Sequence, residues 1–356
     1  MGFSKEMQSP PTATGALIGD APPTVEARRA LAAMEEIGRW ADLAQGAYSE
    51  NTQRAWRADW RVFCTYCQLV GASPLPSTPE TVRLFLLACH PLEDPEVGTP
   101  PSSRRAPATL RRYLATITRI HRAAKLEDPC RSEPVTLAMR AIARKAGTRQ
   151  RQAQPFGWRA LKEFFALEPV SLRDFRDRAL VALAYDVLGR TNEVAQVDVE
   201  HLERDDEDNS TLLIPRSKVD VLGEGEHAFV AAQTMEWIQA WLAAAGIKAG
   251  AAFRVVHGHH MLGERMKPAA IASTLRRAAM KAGLGRAALK ISGHSARVGA
   301  SQDMASVGMD TLAIMQAGRW KDSRMPARYS ARLNTRRGGM AKLAMRQGRE
   351  RVPPAE

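Results

Sequence analysis

The stretch GHSARVGASQDMASVGMDTLAIMQAGRWKDSRMPARYS, residues 293–330, decides how the rest of the chain is read. Its first part predicts a helix that opens at His294 and Arg297 and runs to about Val307, with Gly308 as the C-cap. Ala296, Ala300, Met304 and Val307 recur at helical spacing and make its buried stripe. Asp310 caps a second helix, which Gly318 ends. His294 and Arg297 stand at i and i+3, so their side chains share one face. A helix N-terminus also presents free N–H groups and a positive dipole end to an anion. Alone, His-x-x-Arg is equally the pattern of a solvated helix face, so its meaning rests on what surrounds it.

What surrounds it is basic. The 356 residues carry 51 Lys+Arg against 38 Asp+Glu, a net charge of +13, and 45% of them are hydrophobic. That length and apolar content suit one large domain or two ordinary ones. The charge is clustered: residues 104–151 hold 13 Lys/Arg against 3 Asp/Glu, and residues 319–351 hold 11 against 2. Two basic blocks this far apart in sequence are suited to line one channel for a polyanion, and nucleic acid is the first candidate.

Cysteine use points away from an extracellular framework, since Cys64, Cys67, Cys89 and Cys130 are too few for a chain this long. Cys64-x-x-Cys67 with Cys89 and His90 downstream raises zinc. No second C-x-x-C follows, however, and Cys64 and Cys67 fall on the apolar side of a helical pattern, so no metal site is expected. His257, His259 and His260 read as a polar loop. No apolar run approaches the ~18 residues a membrane span needs. MGFSKEMQSPPTATG lacks the apolar core of a signal peptide, so a cytoplasmic protein without a membrane partner is expected.

Along the chain, residues 1–23 are rich in Pro, Ser, Thr and Gly and are expected to be a disordered tail. Helical periodicity runs from Val25 to about Ala44. Ser49 is placed to N-cap a helix in which Trp56, Trp60, Phe63, Cys67 and Val70 share one side, while Arg54, Arg57 and Arg61 lie elsewhere on the wheel. Thr78 opens the shorter helix PETVRLFLLAC, and LEDPEVGTPPSSRRAP is a loop. ATLRRYLATITRIHRAAKL has Leu110, Leu114, Ile117 and Ile120 on one side, with Arg111, Arg112, Arg119 and Arg122 mostly away from it. EPVTLAMRAIARKAG is a further helix. Residues 24–146 are thus expected to be an all-helical bundle with basic outer faces, residues 147–156 a linker and residues 157–356 a second domain. There the patterns predict helices near 157–167, 171–188, 232–245 and 268–282, an acidic turn-rich segment DVEHLERDDEDN, and short strands at STLLIPRSK and EHAFV. The fold class is mainly α with a small β-sheet in the C-terminal domain.

Residues 293–330 closely resemble the C-terminal motif of the tyrosine recombinase (phage integrase) family. Members carry His-x-x-Arg, then a His or Trp, then a nucleophilic Tyr nine residues on; here these are His294, Arg297, Trp320 and Tyr329. The family's first arginine sits in a Gly-x-Arg-like turn with an acid three residues later, and VLGRTNEV supplies Arg190 and Glu193. Its lysine lies on a β-hairpin after that turn, and IPRSKVD supplies Lys218. The resemblance covers residues 25–345 or so. It is strongest over 290–330 and weak in the N-terminal bundle.

The resemblance implies a core-binding domain that grips DNA, followed by a tyrosine-recombinase catalytic domain ending in an exchange helix at about 335–347. It implies Tyr329 as nucleophile, Arg190 and Arg297 as a clamp on the non-bridging oxygens, and Lys218 as proton donor to the leaving 5′-oxygen. His294 is then a base or a hydrogen-bond donor, Trp320 an indole N–H donor, and Glu193 a support. The partners implied are double-stranded DNA with inverted-repeat half-sites and a homotetramer of the chain, acting through a Holliday junction, with no cofactor and no metal. Arg54, Arg57, Arg61, Arg111, Arg112, Arg119 and Arg122 are the expected DNA contacts. A type IB topoisomerase and a catalytically inactive relative of the same fold are the rivals. Chain length and motif spacing disfavour the first, and the complete residue set disfavours the second.

Overall fold

The computed structural model describes residues 25–92, 104–147, 152–205, 209–215, 225–258 and 261–349. The chain divides into two units, Met1–Gln150 and Arg151–Glu356. The expected tail, the proline-rich loop at 93–103, residues 148–151 of the expected linker, Lys218, His259 and His260 lie outside the described residues.

The described part of the first unit is helical: α1 (Val25–Ala44), α2 (Glu50–Val70), α3 (Pro79–Cys89), α4 (Pro107–Ala123) and α5 (Glu133–Ala146), with a 3-10 turn at Pro129–Arg131. Ser49 and Thr78 cap α2 and α3, each accepting the backbone N–H three residues on, and Gly71 ends α2 at φ 66°. Trp60, Phe63 and Cys67 of α2 pack with Val82, Phe85 and Leu86 of α3, Leu110, Ile117 and Ile120 of α4, and Val135 and Ile142 of α5. Val70 departs from its expected place: it ends α2 and is 53% exposed, because the stripe has turned away from the core there. Cys67 is fully buried in this core. Burial pushes the Cys64 and Cys67 thiols up to about 11, so both stay protonated at neutral pH.

The second unit carries α6 (Trp158–Phe165), α7 (Leu172–Asp186), α8 (Thr191–Ala195), α9 (Ala232–Ala245), α10 (Pro268–Lys281), α11 (Ser295–Ser306), α12 (Thr311–Gly318), α13 (Arg324–Arg337) and α14 (Gly339–Arg346). Strands β1 (Leu202–Arg204), β2 (Ser210–Ile214) and β3 (Glu226–Val230) form an antiparallel sheet in that order, in register Ser210↔Val230 and Ile214↔Glu226. A second antiparallel pair, β4 (Arg254–His257) and β5 (Met261–Arg265), flanks the stretch read as a polar loop, with His257 at the end of β4. β1 falls inside the segment read as an acidic turn. The core gathers α7, α9 and α10 around Leu180, Leu183, Ile238, Trp241, Ile271 and Leu275.

Helix α11 is the central post. Every residue from Ser295 to Ser301 is buried, and the helix packs against α13, α7, α12 and α6. Phe156 donates its N–H to the Ser295 carbonyl at 2.9 Å. Asp303 fixes the other side: its Oδ2 accepts from the Tyr185 hydroxyl at 2.7 Å and from the Trp158 N–H at 2.6 Å. Val307, expected in the buried stripe, lies just past the helix end and is 72% exposed.

Candidate active site

The site is built where three chain turns meet beneath α11. The first is the turn into α8. Leu188 takes φ 46°, Gly189 follows, and Arg190 is the N-cap. Glu193, one turn into the helix, reaches back: its Oε2 accepts the Arg190 N–H at 3.0 Å, and its Oε1 pairs with the Arg190 guanidinium. Arg190 is therefore held at both its backbone and its head.

The second turn starts α11. His294 is its N-cap and is exposed, its N–H donating to Ser292 Oγ at 3.3 Å. Arg297 is only 2% exposed. Its two terminal nitrogens donate to the Leu188 and Gly318 carbonyls, which ties the α8 turn to the end of α12. Burial, with Arg190 and Arg319 close by, pulls the Arg297 guanidinium down to about 9, which leaves it charged at neutral pH.

The third turn leaves α12. Trp320 follows it, with the Arg297 guanidinium 4.3 Å from its ring centre. The Tyr329 ring on α13 meets Trp320 edge-on, centroids 5.8 Å apart and planes at 66°. Gln302 donates to the Tyr329 carbonyl at 3.0 Å, fixing α13 to α11. Burial pushes the half-buried Tyr329 phenol up, while Arg297, Arg328 and Arg190 pull it back. Arg190, Glu193, Arg297, Trp320 and Tyr329 are thus brought together, with His294 at the mouth of the same helix. Lys218 lies outside the described residues.

Sequence reasoning missed Arg319. It is buried, sits at φ 52°, and donates from Nη2 to Glu193 Oε2 at 2.8 Å and from Nη1 to the Val187 carbonyl at 2.8 Å. Burial alone would raise the Glu193 carboxyl, but Arg319 and Arg190 outweigh it and hold the group below the usual carboxylate range. In the sequence Arg319 is one basic residue among many, and nothing in its spacing marks it as inward-facing.

In the first unit, the expected DNA-contact residues divide by their partners. On α4, Arg111, Arg112, Arg119 and Arg122 fall within roughly 100° of arc. Arg112 is half exposed and pairs with buried Asp59 at 2.7 Å; Arg122 lies 3.8 Å from Asp128. Arg119 donates to the Tyr48 hydroxyl at 2.9 Å and stacks 5.2 Å from the Trp56 ring centre. On α2, Arg54 and Arg61 are exposed and Arg57 is half-buried. Among the described residues no helix is long and apolar enough to cross a membrane.

Comparison with known proteins identifies the family and the fold. Residues 160–336 match the phage integrase family. The recombinase Cre of Escherichia phage P1 is 28% identical over 316 residues, a match covering 83% of this chain and 88% of that protein. An integrase/recombinase XerD homologue of Selenomonas ruminantium is 28% identical over 292 residues, covering 79% and 81%. The crystal structure of a lambda integrase dimer bound to a COC′ core site shares the fold, with TM-score 0.54 at 14% identity over 87% of this chain and 81% of that one. The chain belongs to the tyrosine recombinase family. Within it, the protein is a tyrosine-type site-specific recombinase that acts on DNA.

Proposed function

We propose that this protein cuts and rejoins DNA strands through a 3′-phosphotyrosine intermediate at Tyr329. The carrying observation is the convergence of Arg190 at the start of α8, Arg297 on α11, Trp320 in the turn after α12 and Tyr329 on α13. The Tyr329 oxygen attacks the scissile phosphorus; a Tyr–O–P bond forms and the P–O5′ bond breaks. The phenol proton passes to a neighbouring acceptor, for which exposed His294 is the candidate. Lys218 donates a proton to the departing 5′-oxygen. Arg190 and Arg297 hold the non-bridging oxygens, a task for planar, permanently charged forks. The covalent link conserves the phosphodiester's energy, so resealing to a new 5′-hydroxyl needs no cofactor.

In this reading four copies assemble on two inverted-repeat sites and exchange strands through a Holliday junction. Met340, Leu343 and Met345 on α14 are exposed apolar residues suited to dock on a neighbouring copy. α14 (Gly339–Arg346) falls within the segment at about 335–347 to which the exchange role is assigned. Arg54, Arg57, Arg61 and the α4 arginines supply phosphate contacts, with Arg112 and Arg119 also bracing the helices that carry them.

The test is covalent capture with metal chelated. A pool of randomised nicked duplexes is incubated with the protein in excess EDTA. Recovery of one sequence class bearing a protein joined to its 3′ end supports the reading. Binding without any covalent product contradicts it.

A further inference from the structure

Arg319 has no part in the chemistry above, yet the fold holds it at some cost. A residue with a Cβ in the left-handed region is unfavourable, and taking a guanidinium out of water costs free energy even when it is paired. Its side chain, 5% exposed, turns inward onto the Val187 carbonyl and Glu193 Oε2, each at 2.8 Å. Nε lies 3.6 Å from Glu226 Oε2 at the start of β3. Arg319 is also the residue immediately before Trp320.

Glu193 is the reason this matters. Its carboxylate, also 5% exposed, touches both the backbone and the head of Arg190. A buried carboxylate with one arginine beside it cancels that arginine's charge. Arg190, Arg297 and Glu193 together carry +1, and Arg319 raises the cluster to +2. Glu226 subtracts less, because its Oε2 stays 3.6 Å from Arg319 Nε without a hydrogen bond, and the side chain as a whole is 38% exposed. A phosphodiester carries one negative charge in the ground state and approaches two as the nucleophile adds. The second positive charge is therefore matched to the transition state more than to bound DNA.

Resting on the recombinase reading, we infer that Arg319 is a positioning residue: by pairing with Glu193 it neutralises that carboxylate and leaves the Arg190 guanidinium available to the scissile phosphate. Arg319 does not itself touch DNA.

The test uses the full chain on the site recovered by covalent capture. It measures half-site affinity, melting temperature and the single-turnover rate of adduct formation. Arg319→Gln is expected to slow the adduct step by about 10- to 100-fold, less than the 10²–10³ lost with a direct oxyanion donor, while half-site affinity stays within about twofold. Arg319→Lys, which keeps the charge on Glu193, recovers at least about fivefold of that loss. The double variant Glu193→Gln/Arg319→Gln is faster than Arg319→Gln alone, because the carboxylate to be neutralised is gone. Wild-type rates in Arg319→Gln, or a double variant slower than the single, would overturn the inference. So would equal defects in the Lys and Gln variants. A wild-type chain that forms no adduct sinks the recombinase reading instead, which keeps the two failures apart.

Discussion

At the scale of single residues, the site depends on close approaches that only small side chains allow. Gly299 faces the chain entering the second unit, and a Cβ there would stand 2.3 Å from the Phe156 carbonyl oxygen and 2.6 Å from the Gly157 nitrogen. Both are backbone atoms and cannot step aside as a flexible side chain would. Gly299→Ala should therefore lower the free energy of unfolding by about 1–3 kcal/mol, as overpacking against fixed neighbours does. A urea-denaturation midpoint unchanged from wild type would contradict this. Arg297 shows the same economy in polar form: one buried guanidinium satisfies two carbonyls and lies against Trp320. His-x-x-Arg, the step to Trp320 and the step to Tyr329 were all legible in the sequence, because their spacing is itself the signal. Arg319 was not, because its role comes from a positive φ at the end of α12 that no residue pattern announces.

At the scale of elements, the helices and the strands β2 and β3 were legible in the sequence, and β1, β4 and β5 were not. α2 and α4 show their apolar stripes over 21 and 17 residues, long enough for periodicity to speak. β1, β4 and β5 have three, four and five residues, and their burial does not alternate cleanly. Their pairing is a tertiary fact, so the acidic segment and the His-rich loop concealed it. α4 also carries an unforeseen latch. His121 is fully buried, its Nδ1–H donating to the Ile117 carbonyl at 2.9 Å and its Nε2 accepting the Ser77 N–H at 3.0 Å. Only the neutral ring can do both, and burial lowers its pKa below the ordinary value. A lowered histidine pKa stabilises the fold above the unfolded value of about 6.5. That contribution is lost as pH falls below it, because the unfolded chain takes up the proton first. Between pH 7.5 and 5.5 the wild-type chain should lose more melting temperature than His121→Gln, which keeps a donor and an acceptor but cannot titrate. Parallel losses in the two proteins would show that His121 is not the group responsible.

At the scale of the whole molecule, composition pointed to a nucleic-acid partner and the C-terminal motif pointed to the family. Assembly entered only as what the family resemblance implies, and the C-terminal segment tests it. Deleting residues 338–356 removes α14 and its exposed Met340, Leu343 and Met345 while leaving Tyr329 and its neighbours in place. The truncated chain should bind a single half-site with an unchanged slope of log affinity against log salt, form the covalent adduct, and fail to recombine full sites. If the segment were a DNA-gripping tail, its deletion would instead lower that slope by about 0.9 for every phosphate it had neutralised. A truncated protein that still recombines full sites would rule out the assembly role.

The central claim is that Tyr329 becomes covalently joined to the 3′ phosphate, and peptide mapping of the adduct tests it most directly. Cleavage after Arg328 and Arg332 would release the four-residue peptide Tyr329–Arg332. After covalent capture on a nicked duplex with metal chelated, followed by nuclease and trypsin, that peptide should carry the residual nucleotide through the tyrosine oxygen. The Tyr329→Phe chain should bind the same duplex and yield no adduct. A nucleotide found on any other residue, or an adduct formed by the Phe variant, would contradict the account.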